Sequence, residues 1–147
     1  MNPPVSTLLA DKGSAIHSVP SSATVGDAVR VMNDHKVGAV LVMDADQLVG
    51  IFTERDVLYR VVAAGLTPAT TPLAQVMTRN PKVLAADATV SEALAFISEK
   101  RCRHLPLLEN GKLIGLVSQG DITRWLVQAH KAQAEHLMNY ISGEYSV

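Results

Sequence analysis

The chain has 147 residues, 48% of them hydrophobic and 18% charged, with 13 basic against 14 acidic side chains. That is the commonest size for one globular domain with ample apolar surface to bury, and a near-zero net charge without any block of like charge offers no basic patch for nucleic acid. The single Cys102 cannot form an internal disulfide, no apolar run approaches the roughly 20 residues of a membrane span, and Leu8-Leu9-Ala10 is too short, and lacks the basic flank, for a signal peptide, so the chain is expected in the cytoplasm.

Met1 to Ala15 reads as a loose lead-in, punctuated by Pro3-Pro4 and Gly13. A short strand around His17-Ser18-Val19 precedes Thr24-Val25-Gly26-Asp27, which has the form of a capping box and opens a helix with Val25, Ala28, Val29 and Met32 on one face. The branched run Val37 to Met43 predicts a strand, the polar turn 44–47 reverses it, and Leu48 to Phe52 completes a hairpin that runs into a helix beginning at Thr53. Ala63 to Pro72, with Gly65 and Pro68, is a linker. The order then repeats: a strand at Lys82-Val83-Leu84, a capping box from Thr89 to Glu92 with apolar Val90, Ala93, Leu94 and Ile97, and strands at Leu105 to Leu108 and Leu113 to Val117 around the turn 109–112. A last helix starts at Ser118. It keeps apolar spacing through Trp125, Leu126, Ala129, Ala132, His136, Leu137 and Tyr140, to pack on its own body or on a second subunit.

The two halves align without a gap at a shift of 65 residues. Thr24-Val25 meets Thr89-Val90, Leu48 meets Leu113, Gly50 meets Gly115, Asp56 meets Asp121, and Lys36 meets Arg101. Two copies are too few for a solenoid, so two lobes packed face to face are expected, with a ligand in the cleft between them. The organisation expected is a lead-in over 1–15, a first repeat over 16–66, a linker and the start of the second repeat over 67–82, a second repeat over 83–127 and a helical extension over 128–147.

Gly50-Ile51-Phe52-Thr53-Glu54-Arg55-Asp56, echoed by Gly115 to Asp121, is the pattern that points to chemistry. Glycine permits close approach to a strand, a helix N-terminus holds phosphate, and a carboxylate beside it can accept from a ribose diol. A helix cap has the same hydroxyl-x-x-acid spacing, and the glycine three residues earlier in both copies is what favours a nucleotide. Cys102 is expected to be a packing residue, and His17, His35, His130 and His136 lack metal-ligand spacing.

These units, with Lys36-Val37-Gly38-Ala39-Val40-Leu41-Val42 and Arg101 to Leu107 entering the hairpins and Val76-Met77-Thr78-Arg79-Asn80-Pro81 between them, closely resemble a tandem cystathionine-β-synthase-type (CBS) domain pair, above all the free-standing bacterial ones. The resemblance, from about His17 to Val127, implies an α+β fold of two β-α-β-β-α repeats with pseudo-two-fold symmetry and a long C-terminal helix. It also implies two clefts for adenosine-containing ligands. Position by position, Asp56 and Asp121 would hold ribose hydroxyls, with Thr53 and Ser118 nearby. Thr78, Pro81 and the backbone of Val37, Gly38 and Ala39 would border adenine, and Arg55, Arg103 and His104 would face phosphate. The clefts should differ, because Glu54-Arg55 becomes Gln119-Gly120 and Gly38-Ala39 becomes Arg103-His104.

No nucleophile-base pair or metal cluster can be assembled, so the expectation is a non-enzymatic sensor that binds AMP, ATP, NAD or S-adenosylmethionine, requires no cofactor, forms a homodimer and signals to a protein effector without contacting nucleic acid or membrane. The alternatives are an oligomerisation module with vestigial clefts and a nucleotide hydrolase using Asp56 or Asp121 as base.

Overall fold

Hydroxyl-and-acid pairs start the helices of both halves. Thr24 Oγ1 accepts from the Asp27 N–H at 3.2 Å while the Asp27 carboxylate accepts from the Thr24 N–H at 3.0 Å, and Thr89 and Glu92 repeat the exchange. The bonds from Thr24 hold the Asp27 carboxyl below its ordinary value. The helices so begun, α2 (Val25–His35) and α4 (Val90–Lys100), have 11 residues each and end on Lys36 and Arg101, both left-handed at φ 54°.

The computed structural model describes residues 2–12 and 15–141. The fold is α+β, with one sheet per half. In the first half β1 (Ser18–Val19) lies parallel to β2 (Ala39–Asp44), with α2 as the crossover, and β2 forms a hairpin with β3 (Gln47–Thr53). The second half repeats this with β5 (Leu84–Ala85), β6 (His104–Glu109) and β7 (Lys112–Ser118). Both hairpins shift register at the same place, between Val42 and Met43 and between Leu107 and Leu108. The first sheet gains a fourth strand from the linker, β4 (Thr78–Arg79), paired antiparallel with β3. After β3 the chain forms α3 (Glu54–Asp56), which continues as a wide π-helical turn over Val57–Val62.

The strand β2 is apolar without alternation because both its faces are covered. Val40 and Val42 join Phe52, Val25, Ala28 and Met32 in the core of the first lobe. Ala39, Leu41 and Ile51 point the other way, onto Leu113 and Leu116 of the second half. Leu105, Leu107 and Val117 form the second lobe's core with Val90, Ala93 and Ile97.

The lead-in is not loose over its described residues. Val5 and Leu8 are buried in the core of the second lobe, in a 3₁₀ turn (Val5–Thr7) and helix α1 (Leu8–Lys12). The Val5 N–H donates to the Ala88 carbonyl at 2.6 Å and the Val90 N–H to the Pro3 carbonyl at 2.9 Å. The linker does the reciprocal thing: Leu73 is buried in the first core, its N–H donating to Ala23 at 2.9 Å while the Val25 N–H donates to Thr71 at 3.0 Å. Each half's leading segment therefore packs on the other half. Leu8 matches Leu73 in the 65-residue register, a signal in the sequence that Pro3, Pro4 and Gly13 obscured.

The last helix, α5 (Gln119–Ile141), packs Ile122, Trp125 and Leu126 on the second core. Farther along, Ala129 is half-buried, whereas Val127 is 60% exposed, Ala132 and His136 are exposed, and Met138 is 68% exposed. The side chains of Leu137 and Tyr140, and residues 142–147 of the expected extension, lie outside the described residues.

Candidate ligand-binding cleft

Three segments meet in a cleft of about 400 Å³ between the halves: Ile51 to Asp56 at the end of the first hairpin, Thr78 to Lys82 of the linker, and Lys100 to His104 where α4 passes into β6. Strand pairing sets the first two, with Ile51 opposite Thr78 and Gly50 opposite Arg79. The approach is close, because a Cβ on Gly50 would stand 3.0 Å from the Thr78 carbonyl and 2.7 Å from Met77 Sδ. A side chain there would push the linker outward. Asn80, left-handed at φ 48°, turns the chain so that Pro81 and Lys82 complete the wall.

Asp56 is anchored at the rim. Its Oδ2 accepts from the Thr53 N–H at 2.9 Å and from Thr53 Oγ1 at 3.2 Å, and Oδ1 lies 3.5 Å from Arg60 Nε. Arg60 also donates to the carbonyls of Val76 and Met77, at 3.1 and 3.3 Å, so it ties the carboxylate to the linker. A carboxylate has about four lone-pair sites, more than these contacts use, and the Asp56 side chain is 13% exposed. The side chain of Asp56 is thus both a helix cap and a lining group.

Of the residues singled out in the sequence, Thr53, Arg55, Asp56, Thr78, Pro81, Arg103 and His104 line this cleft together. Gly38 lies just behind the wall: its carbonyl accepts from the Glu54 N–H at 3.0 Å, and an added Cβ would meet Glu54 Oε1 at 3.2 Å and His104 Nε2 at 3.7 Å. Val37 packs toward the first core and Ala39 is buried between the lobes, and neither is part of the lining. Ser118 and Asp121 lie elsewhere. Asp121 accepts from the Ser118 N–H at 2.8 Å and pairs with Arg124, with its side chain 7% exposed. By the repeat they would belong to a second cleft, whose counterpart of Thr78 to Lys82 is 13–17; residues 13 and 14 lie outside the described residues.

Sequence reasoning missed Arg79, Lys82, Lys100 and Arg101, which bring positive charge to the cleft from separate segments. Lys100 and Arg101 already stand beside Arg103 in the sequence, and folding brings Arg79 and Lys82 to them. Cys102 also lines the cleft, half-buried, and burial pushes its thiol above the ordinary value against a smaller opposing effect of Lys82. Among the described residues no cluster of three or more potential metal ligands forms, and no helix is long and apolar enough to cross a membrane.

A sequence model of the CBS domain matches residues 2–63 and 73–128. The chain belongs to the CBS-domain family. The matched segments correspond to the two halves, so it is a tandem CBS pair, a kind of module that is typically regulatory and ligand-binding. It is 35% identical over 127 residues to the mitochondrial CBS domain-containing protein CBSX3 of Arabidopsis thaliana, a match covering 83% of this chain and 62% of that protein. The chain spans only 20% of longer plant CBS relatives. Among solved structures, a CBS-domain containing protein from Agrobacterium tumefaciens superposes with TM-score 0.78 at 34% identity, covering 82% of this chain and 97% of that one. A hexameric CBS-CP12 protein from bloom-forming cyanobacteria gives TM-score 0.76 at 27% identity, covering 84% and 67%. These names describe CBS-domain proteins and none names an enzyme.

Proposed function

We propose that this CBS pair is a non-enzymatic regulatory module that binds an adenosyl ligand in the cleft between its lobes and passes the resulting change to a protein partner. The observation that carries the reading is the origin of the cleft walls. Both lobes and the linker contribute, so a ligand touching all three favours one angle between the lobes over others, and differential affinity is what a population shift requires. Asp56 would accept from the ribose hydroxyls, Thr53 would lie beside it, and Ile51, Thr78 and Pro81 would border the base. Arg55, Arg103 and His104 would face phosphate. Ser118 and Asp121 would do the corresponding work in the second cleft.

The test is a thermal scan with adenosine, AMP, ATP, NAD and S-adenosylmethionine. A ligand that binds only the folded state stabilises it by about 2.7 kcal/mol at a hundredfold excess over its dissociation constant. A rise in melting temperature with at least one of them is expected; no shift with any would sink the proposal.

The receiver we propose includes a second copy of the chain. Leu58, Tyr59 and Val62 are exposed on the turn after β3, Val127 is exposed at the position matching Val62, and the far part of α5 has exposed side chains. Light scattering should give the mass of a dimer, and a monomer at high concentration would count against it. The cytoplasm is the compartment we propose, and cell fractionation that places the protein elsewhere would remove this part.

A further inference from the structure

Most of the charge of the cleft is not demanded by its architecture. Arg55, Arg79, Lys82, Lys100, Arg101 and Arg103 line it against two carboxylates, Glu54 and Asp56. Among the described residues none of these six cations is ion-paired; Arg79 donates to the Ala74 carbonyl at 3.1 Å and Arg55 lies over the Tyr59 ring. Gathering six like charges around one cavity raises the free energy of the folded state through mutual repulsion. All six are exposed, so water and salt screen much of that repulsion, and what they give the cleft is a positive potential that draws a ligand of opposite charge.

The internal repeat supplies the control. At the matching positions in the 65-residue register stand Gly120, Ser14, His17, His35, Lys36 and Gly38, with one permanent cation among them. The backbone does not distinguish the two sets where both are described: Lys36 and Arg101 share φ 54°, and the Glu54 N–H donates to Gly38 as the Gln119 N–H donates to Arg103, at 3.0 and 2.8 Å. The same strand-to-helix junction is thus made with glycine on one side and arginine on the other. Helix capping and strand pairing do not account for the cations.

We infer that this cleft selects its ligand by phosphate charge, taking a nucleoside polyphosphate or another ligand with three or more negative charges. It discriminates against AMP and adenosine and excludes cationic S-adenosylmethionine. The inference rests on the adenosyl reading above for the nucleoside part alone. The phosphate part follows from the charges.

Calorimetric titration of the intact chain with adenosine, AMP, ATP, GTP and inorganic tripolyphosphate, without divalent metal, tests it. At low salt ATP should bind about tenfold or more tighter than AMP, and raising the salt to about 0.5 M should shrink that gap to about threefold or less, since screening lengths fall below about 5 Å. The double variant Arg55→Gln, Arg103→Gln should lose about tenfold for ATP and about threefold or less for AMP, with melting temperature in the absence of ligand unchanged or raised. AMP binding as tightly as ATP, or an ATP-to-AMP ratio that salt leaves alone, overturns the inference and leaves the adenosyl reading standing. GTP or tripolyphosphate matching ATP supports selection by charge and removes the adenosyl reading. No heat from any of the five overturns both.

Discussion

Leu8→Ala is expected to destabilise the chain by about 2–5 kcal/mol, the cost of truncating a fully packed leucine, and Leu73→Ala by a similar amount. Leu8 is 3% exposed and Leu73 is 0% exposed, each in the core of the half to which it does not belong in sequence. Because the leading segments are exchanged, weakening either one loosens the opposite lobe, and both variants should still unfold in a single transition. Urea unfolding followed by tryptophan fluorescence reads the difference, with Trp125 packed on the second core as the reporter. A Leu8→Ala cost under about 1 kcal/mol would restore the loose lead-in that Pro3-Pro4 and Gly13 suggest.

Asp56→Ala and Asp121→Ala should separate binding from capping. Both carboxylates accept from a backbone N–H at a helix start, so each variant is expected to lose about 1–3 kcal/mol of stability. Only Asp56 also lines the cleft, so only Asp56→Ala should weaken ATP binding there. Two effects oppose each other in that variant. Losing a charge-assisted hydrogen bond to the ribose costs about 1.5–3 kcal/mol, whereas removing a negative charge about 10 Å from the phosphates in a wet cleft returns about 0.4 kcal/mol for each phosphate charge of ATP, a sum that screening at about 0.15 M salt cuts to roughly 0.5 kcal/mol. The first wins, and affinity should fall about tenfold. Equal ATP affinity in wild type and Asp56→Ala, with stability lowered in both variants, would make both carboxylates caps and nothing more.

The repeat made the fold legible. A shift of 65 residues aligns the capping boxes, hairpins and strand-to-helix junctions, and each sits where local chemistry put it. The lead-in was missed because its apolar residues are few and proline and glycine lie beside them, while its partner surface is more than 75 residues away, on Ala86, Ala88 and Val90. The cleft was half legible. Thr53, Arg55 and Asp56 stand together in one motif, and the resemblance to CBS pairs drew in Thr78, Pro81, Arg103 and His104. Arg79, Lys82, Lys100 and Arg101 come from different segments, and only β3–β4 pairing and the end of α4 bring them to one cavity. Arg60 was invisible for a similar reason: its contacts to Val76 and Met77 cross from the helix to the linker.

Cys102 offers the most direct test of occupancy, because the only cysteine of the chain lines the proposed site. Its thiol is half-buried and raised above its ordinary value by that burial, so at neutral pH it reacts slowly with a disulfide reagent, and faster as pH rises toward its pKa. The rate of its reaction with Ellman's reagent at mildly alkaline pH, measured with and without saturating ATP, reads this one cleft without any substitution. A ligand between the lobes predicts a fall of about tenfold or more in that rate. An unchanged rate at ATP concentrations that raise the melting temperature would place the nucleotide elsewhere and contradict the account.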